Sequence, residues 1–385
     1  MASASNSSDL RERRRRPAAM PGGPRPVDIT ARARCSPAFA GHERVFELRD
    51  ATTGLHGFIA IHSRKLGPSL GGCRMLPYNS PDAALADALR LSRGMTYKAA
   101  VAGFDLGGGK AVIIGDPATD KTDALFYSFG AMVESLGGAY LTGEDVGTTV
   151  ADIDRVARRT AYAFGSGAKG GDPSELTALG VVVALRAAIG WRLGSPDLRD
   201  RTITVQGLGK VGLPLCRLLF QEGAALVVAD FDADRVARVV DEFGATPVAP
   251  EAINRVPADA FAPCALGGVL NRDTIPELMA AVVAGSANNQ LASPADGWAL
   301  HRRGILYAPD YVANAGGLIY LAVGQIEGES DRSRIVARVR GIGDTLRHIF
   351  RRAERDELPT AVVADRLAEE RLRGAPRTTD FRLAG

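Results

Sequence analysis

Thr202-Ile-Thr-Val-Gln-Gly207-Leu208-Gly209-Lys210-Val211-Gly212, followed at 225–230 by Ala-Leu-Val-Val-Ala-Asp, decides the fold. Residues 202–206 are apolar and β-branched and read as a strand, 210–222 as a helix, and 225–230 as a second strand, one βαβ unit. The glycines stand where a dinucleotide turn needs them. Gly207 permits the tight turn, Gly209 lets a pyrophosphate approach the backbone, and Gly212 lets helix and strand pack closely. The helix start then offers N–H groups to phosphate, with Leu208, Lys210 and Val211 completing the turn. A glycine turn without a nucleotide is the alternative. Asp230 argues against it, because a carboxylate at this strand end accepts hydrogen bonds from ribose hydroxyls. It also repels a 2′-phosphate, so the expected cofactor is NAD rather than NADP.

Working outward, 260–262, 282–285 and 306–308 are further short apolar strands, and residues 332–372 are helical and arginine-rich. Before the nucleotide motif, 44–50 and 55–63 form a strand pair around Thr53-Gly54. A helix begins at Ser80-Pro81-Asp82, buries Leu85, Ala88 and Leu89, and stops at Gly94. Strands at 97–102 and 110–115, a helix over 121–136 and a strand at 139–142 complete this half. The glycine-rich run 165–173 reads as a hinge. The expected fold is α/β with two domains separated by a cleft. An Arg-rich disordered tail covers 1–27, a substrate and oligomerisation domain 28–165, a Rossmann-type NAD-binding domain 166–330, and C-terminal helices packing back on the first domain 331–385.

Composition narrows the class. Of 385 residues, 46% are hydrophobic and 24% charged, the balance of a globular protein. The net charge of +3 is carried by the tail, where Arg11, Arg13, Arg14, Arg15, Arg16 and Arg25 face only Asp9 and Glu12. A solvated extension, or one preceding a true start at Met20, is the leading reading of that tail. An acidic-surface contact and a twin-arginine signal are the others, and the last lacks the apolar run that follows such a signal. No nucleic-acid or membrane partner is expected, since no apolar run approaches spanning length. The four cysteines lie far apart, and neither they nor the five histidines have ligand spacing. That implies no metal site and a reducing cytoplasm.

Lys98 and Lys110 each lie among apolar residues. An ammonium there is costly without an anion or the loss of its proton. Two lysines that snorkel to water from strand ends are the alternative. Gly71-Gly72 and Gly107-Gly108-Gly109 favour a site, by clearing side chains for a small ligand.

The strings GPSLGGCRM, LSRGMTYK, GGGKAVIIGDP, TGEDVGTT, APCALGG, ANNQL and YAPDYVANAGG occur in that order between residues 67 and 317, within a match that runs from about 44 to 350. In them the chain resembles the glutamate/leucine/phenylalanine/valine dehydrogenase family, in its branch acting on apolar amino acids. The resemblance implies homo-oligomers that interconvert an L-amino acid with its 2-oxo acid and ammonia. It implies that Lys98 binds the substrate carboxylate and that Lys110 is the catalytic base toward water. Asp145 would exchange a proton with the substrate nitrogen, and Gly71 and Gly72 would line the substrate with backbone. Thr177 and Asn289 would contact the nicotinamide end and the substrate, and Ala265, in APCALGG, the cofactor. Hydride leaves Cα for the nicotinamide, water adds to the imino acid, and the carbinolamine collapses after closure about the hinge.

In glutamate-specific members a lysine precedes the Gly-Gly pair, where this chain has Leu70. Leu318 and Leu321 are also apolar, so a side-chain carboxylate would be left unpaired. Gly143 and Leu321 resemble the phenylalanine-type combination, and Gly143, lacking a methyl, opens space for an aromatic ring; L-phenylalanine is the expected substrate, with leucine and valine the alternative. A non-catalytic NAD-binding module is opposed by the presence of Lys98, Lys110 and Asp145. A 2-hydroxy-acid dehydrogenase would need a histidine near the motifs, and His62 reads as a strand-end residue.

Overall fold

The computed structural model describes residues 25–165, 173–329 and 331–375. Most of the tail, and all of the expected hinge but Gly165 and Pro173, lie outside the described residues. The described residues form two compact units, 25–165 with 371–375, and 173–370.

The first unit is built on a seven-stranded sheet. Its strands are β1 (Val27–Asp28), β2 (Arg44–Asp50), β3 (Leu55–Ser63), β4 (Ser69–Leu70), β5 (Cys73–Leu76), β6 (Gly107–Ile114) and β7 (Tyr140–Leu141). They run in the order β1-β2-β3-β6-β4-β7, and β5 also pairs with β6. The expected strand pair is β2 and β3, antiparallel with Phe46 opposite Ile59. The expected strand at 97–102 is instead the end of the helix Pro81–Val101. Ser80 caps that helix, accepting from the Ala83 N–H at 3.1 Å, and Leu85, Ala88 and Leu89 are buried as expected. Gly94 does not stop it. A mid-helix glycine costs only about 1 kcal/mol, less than the packing of this helix on β3 and β6 supplies. Helices Asp123–Ser135 and Val150–Ala157 complete the unit. The second has a Thr149/Asp152 capping box that the sequence reading passed over.

The second unit holds six strands, β8 (Thr202–Gln206), β9 (Ala225–Ala229), β10 (Thr246–Pro247), β11 (Ala258–Pro263), β12 (Ala280–Val283) and β13 (Leu306–Tyr307). All pair in parallel, in the order β10-β9-β8-β11-β12-β13. That is the doubly wound dinucleotide topology, whose strand order reverses between β8 and β11. Helix Ser174–Leu193 has a mean hydropathy of 1.6 over a membrane-length window, which corrects the expectation that no segment approaches spanning length. It is a core helix here, with Leu176, Val181, Leu185 and Ile189 buried.

Of the C-terminal helices, Arg332–Arg340 and Ile342–Asp356 pack on Ser174–Leu193 within the second unit. Gly180 admits Ile342, whose Cδ1 would lie 3.0 Å from a β-carbon there. In the helix Thr360–Gly374, Arg371 belongs with the first unit and donates to the Ala100 carbonyl at 2.8 Å.

Candidate active site

In the first unit two loop strings run side by side. Cys73 N–H donates to the Gly143 carbonyl at 2.8 Å, and Met75 N–H to the Val146 carbonyl at 2.9 Å. Thr148 Oγ1 accepts from Asp145 N–H at 3.0 Å and donates to the Cys73 carbonyl at 2.9 Å, which fixes the GEDVGTT turn against β5. Gly147, at φ +80°, abuts the Met75 carbonyl and is the residue that lets this turn close.

Lys110, on β6 opposite Ala60, is only 4% exposed. Its Nζ lies 2.7 Å from Asp145 Oδ2. Arg74 Nε approaches the same oxygen at 3.1 Å, while Arg74 Nη1 reaches Asp87 Oδ2 at 3.0 Å. Burial alone would raise the Asp145 carboxyl, but Lys110 and Arg74 override it and hold the group at about 2. The site therefore contains an ionised carboxylate whose Oδ2 is shared by Lys110 and the Arg74 guanidinium. Arg74 and Asp87 were missed in the sequence, although Arg74 stands inside the quoted GGCRM string.

Lys98 is half-buried in the last turn of its helix. That helix crosses β6 where Thr96, two residues before Lys98, presses on Gly108, two residues before Lys110.

The glycines serve protein packing rather than an open ligand space, which corrects the expectation for them. A β-carbon on Gly71 would overlap the Gly109 carbonyl, and one on Gly72 would overlap the Glu144 carbonyl and lie 2.8 Å from Asp145 Cβ. One on Gly108 would overlap the Thr96 backbone, and one on Gly109 would lie 2.7 Å from the Tyr140 ring. These glycines bring the backbones carrying Lys98, Lys110 and Asp145 together. Gly143 is also corrected. The methyl it lacks would point at the Phe164 carbonyl, 3.1 Å away, so it relieves a backbone crossing instead of opening room for a ring. Leu70, on β4 between β6 and β7, is 2% exposed.

The second unit carries the remaining expected residues. Gly207 has φ +94°, and a β-carbon there would lie 2.7 Å from Ala265 N, across the gap between β8 and β11. A β-carbon on Gly212 would overlap the Gly207 carbonyl, whereas one on Gly209 would meet nothing nearer than Arg235 Nη1 at 3.8 Å. Two of the three glycines are thus packed by protein, and the middle one faces open space, where a pyrophosphate fits. No side chain caps the helix Gly212–Gln221, so its first N–H groups suit an anion. Asp230 Oδ2 accepts from Leu208 N–H at 2.6 Å and Oδ1 from Asp232 N–H at 2.9 Å, which pins the carboxylate beside the turn. Leu208 itself is buried, while Lys210 is exposed and Val211 half-buried.

Thr177 Oγ1 donates to the Pro173 carbonyl at 3.0 Å and would lie 3.0 Å from a β-carbon on Gly317. Asn289 is exposed at φ +52°, a conformation asparagine tolerates, and its carbonyl accepts from Gly268 N–H at 2.7 Å. Its neighbour Asn288 accepts from Asn314 Nδ2 at 2.9 Å, leaving the buried Asn314 Oδ1 unpartnered. Leu318 is buried and Leu321 half-buried.

A dinucleotide-type parallel sheet and a buried lysine–aspartate pair define a nicotinamide-dependent oxidoreductase. Residues 42–162 match the family model of the Glu/Leu/Phe/Val dehydrogenase dimerisation domain, and 232–363 that of Glutamate/Leucine/Phenylalanine/Valine dehydrogenase. The chain belongs to this family of amino-acid dehydrogenases, in its apolar amino-acid branch. It is 50% identical over 334 residues to a leucine dehydrogenase of Geobacillus stearothermophilus, covering 86% of this chain and 90% of that one. It is 44% identical over 348 residues to a phenylalanine dehydrogenase of Caldalkalibacillus thermarum, covering 88% and 94%. Among solved structures, L-tryptophan dehydrogenase from Nostoc punctiforme is similar with a TM-score of 0.74 and 44% identity, covering 88% of this chain and 98% of that one.

Proposed function

We propose that this chain catalyses the reversible, NAD-dependent oxidative deamination of an apolar L-amino acid to its 2-oxo acid and ammonia. Leucine and valine come ahead of phenylalanine in this reading. The observation that carries it is the Lys110–Asp145 pair at 2.7 Å, with Lys110 buried and Asp145 half-buried.

Lys98 takes the substrate carboxylate as a point charge. Asp145 holds the substrate nitrogen and exchanges its proton, while Lys110 serves as base toward the attacking water and steadies the developing 2-oxo oxygen. The backbones at Gly71 and Gly72 line the substrate, with Leu70 beside them as an apolar neighbour. Thr177 and Asn289, in the second unit with the nucleotide turn, contact the nicotinamide end of the cofactor and fix its orientation. NAD, when bound along Gly207–Gly212 with Asp230 at its ribose and Ala265 alongside, supplies the hydride acceptor. Arg235 lies 3.0 Å from Asp232 and 4.0 Å from Asp230. The Asp230 carboxylate beside the turn would repel a 2′-phosphate, which supports NAD over NADP.

Leu70, buried and uncharged, argues against glutamate. The backbone crossing at Gly143 removes the main argument for an aromatic substrate, and the leucine dehydrogenase relative is the more similar of the two quoted. Phenylalanine remains the second reading through Leu321. The dimerisation-domain match supports a homo-oligomer. The free cysteines support a reducing cytoplasm.

A panel of L-amino acids with NAD and with NADP, followed by reduced-cofactor absorbance, tests this. Leucine and valine with NAD should be fastest, phenylalanine slower, and glutamate inactive. Turnover of phenylalanine without leucine or valine would reverse the order, and no turnover of any apolar amino acid would remove the reading.

A further inference from the structure

Arg74 touches Asp145 and has no part in the steps above. Its side chain, 14% exposed on β5, spans two carboxylates, with Nε 3.1 Å from Asp145 Oδ2 and Nη1 3.0 Å from Asp87 Oδ2. Tyr78 donates to Asp87 Oδ2 at 2.6 Å, so the far end of the guanidinium is itself held. The result is a row of alternating charge, Asp87–Arg74–Asp145–Lys110, that runs from the helix Pro81–Val101 through β5 to β6.

A lysine acting as a base must spend part of the cycle as a neutral amine. In that state Asp145 loses its nearest cation, and a buried carboxylate without one tends to take up a proton. A guanidinium keeps its charge at any working pH and holds a fixed geometry. We propose that Arg74 is a positioning residue that keeps Asp145 an oriented carboxylate whichever protonation state Lys110 occupies, with Asp87 and Tyr78 fixing the guanidinium. This rests on Lys110 and Asp145 being the catalytic pair.

Two further groups beside Asp145 cannot replace it. Cys73 on β5 and Tyr140 on β7 are buried, and burial raises both, which leaves them neutral. The groups facing Arg74 are Asp145, Asp87 and Tyr78, and the two carboxylates outweigh its burial and raise the guanidinium further.

The test uses R74K and R74Q in the full chain, with two readouts. The first is the pH profile of kcat and KM on an amino acid that the unaltered chain turns over. R74Q should lose about a hundredfold in kcat with KM within about twofold, and its acid limb should move to higher pH. R74K, which keeps the charge without the fork, should recover about tenfold of the loss. The second is the carboxyl titration of Asp145 by carbon NMR on aspartate-labelled protein, assigned with D145N. Its midpoint should rise by about two pH units in R74Q. An Asp145 midpoint unmoved in R74Q and R74K, or a kcat loss with an unchanged acid limb, would overturn the proposal. Absence of turnover in the unaltered chain would instead sink the function, because the carboxyl titration judges Arg74 without it.

Discussion

A β-carbon on Gly72 would lie 2.8 Å from Asp145 Cβ. The glycine ahead of Cys73 therefore sets how near Asp145 stands to β5, and through β5 to Arg74 and Lys110. Gly72→Ala should push Asp145 away from Lys110. Displacements near 1 Å cost about a hundredfold in rate, so kcat should fall by about that factor while the circular dichroism spectrum stays native. Gly94→Ala, in open space within a helix, should keep full turnover and gain up to about 1 kcal/mol in urea unfolding. Equal activity in both variants would remove the packing role of Gly72.

Gly143→Ala tests the substrate argument. Its new methyl would meet the Phe164 carbonyl at 3.1 Å, a contact the backbone can relieve by a few tenths of an ångström. The leucine-to-phenylalanine ratio of kcat/KM should change by less than about threefold, with a stability loss of about 1 kcal/mol. A tenfold swing toward leucine would restore the reading of Gly143 as open space for a ring.

Gly207→Ala places a side chain at φ +94° and 2.7 Å from Ala265 N. Cofactor affinity, read from NADH fluorescence, should drop at least about tenfold while the first unit's Lys110–Asp145 pair is untouched. Unchanged NADH affinity would show that this turn is not the cofactor seat.

Acid stability should fall in two separate windows. His62, between Thr96 Oγ1 at 2.9 Å and the Ala40 carbonyl at 3.1 Å, is pushed down to about 4 by burial and by His42. Its ring is neutral in the fold, whereas the unfolded chain takes up a proton near the ordinary histidine value. That contribution is complete above about pH 6.5 and is lost as the pH drops to about 4, by about 3 kcal/mol at most. Asp145, held at about 2, contributes stability that is present above about pH 4 and lost toward pH 2. Urea midpoints of His62→Gln should be flatter than wild type between pH 6.5 and 4, with the lower window retained. An identical slope in the variant would contradict the placement of His62.

Much of this was legible in the sequence, and the reasons for the rest are physical. The nucleotide turn, the β2–β3 pair and the Ser80 cap depend on local chemistry that a string displays. The run Tyr97–Ala102 reads as a strand because its apolar residues fit a short strand as well as the buried end of a helix. The glycine clusters were found, but their purpose was not, since their neighbours are backbones distant in sequence, such as Thr96 at Gly108. Arg74 was passed over because nothing local announces that it joins Asp87 to Asp145 across 13 and 71 residues of chain.

The most direct test of the whole account is turnover by Lys110→Ala, with leucine or whichever apolar amino acid the unaltered chain prefers. Lys110, whose Nζ lies 2.7 Å from Asp145, supplies base catalysis as its neutral amine, so kcat should fall at least about a thousandfold while NADH binding stays unchanged. Full turnover by Lys110→Ala would contradict the account.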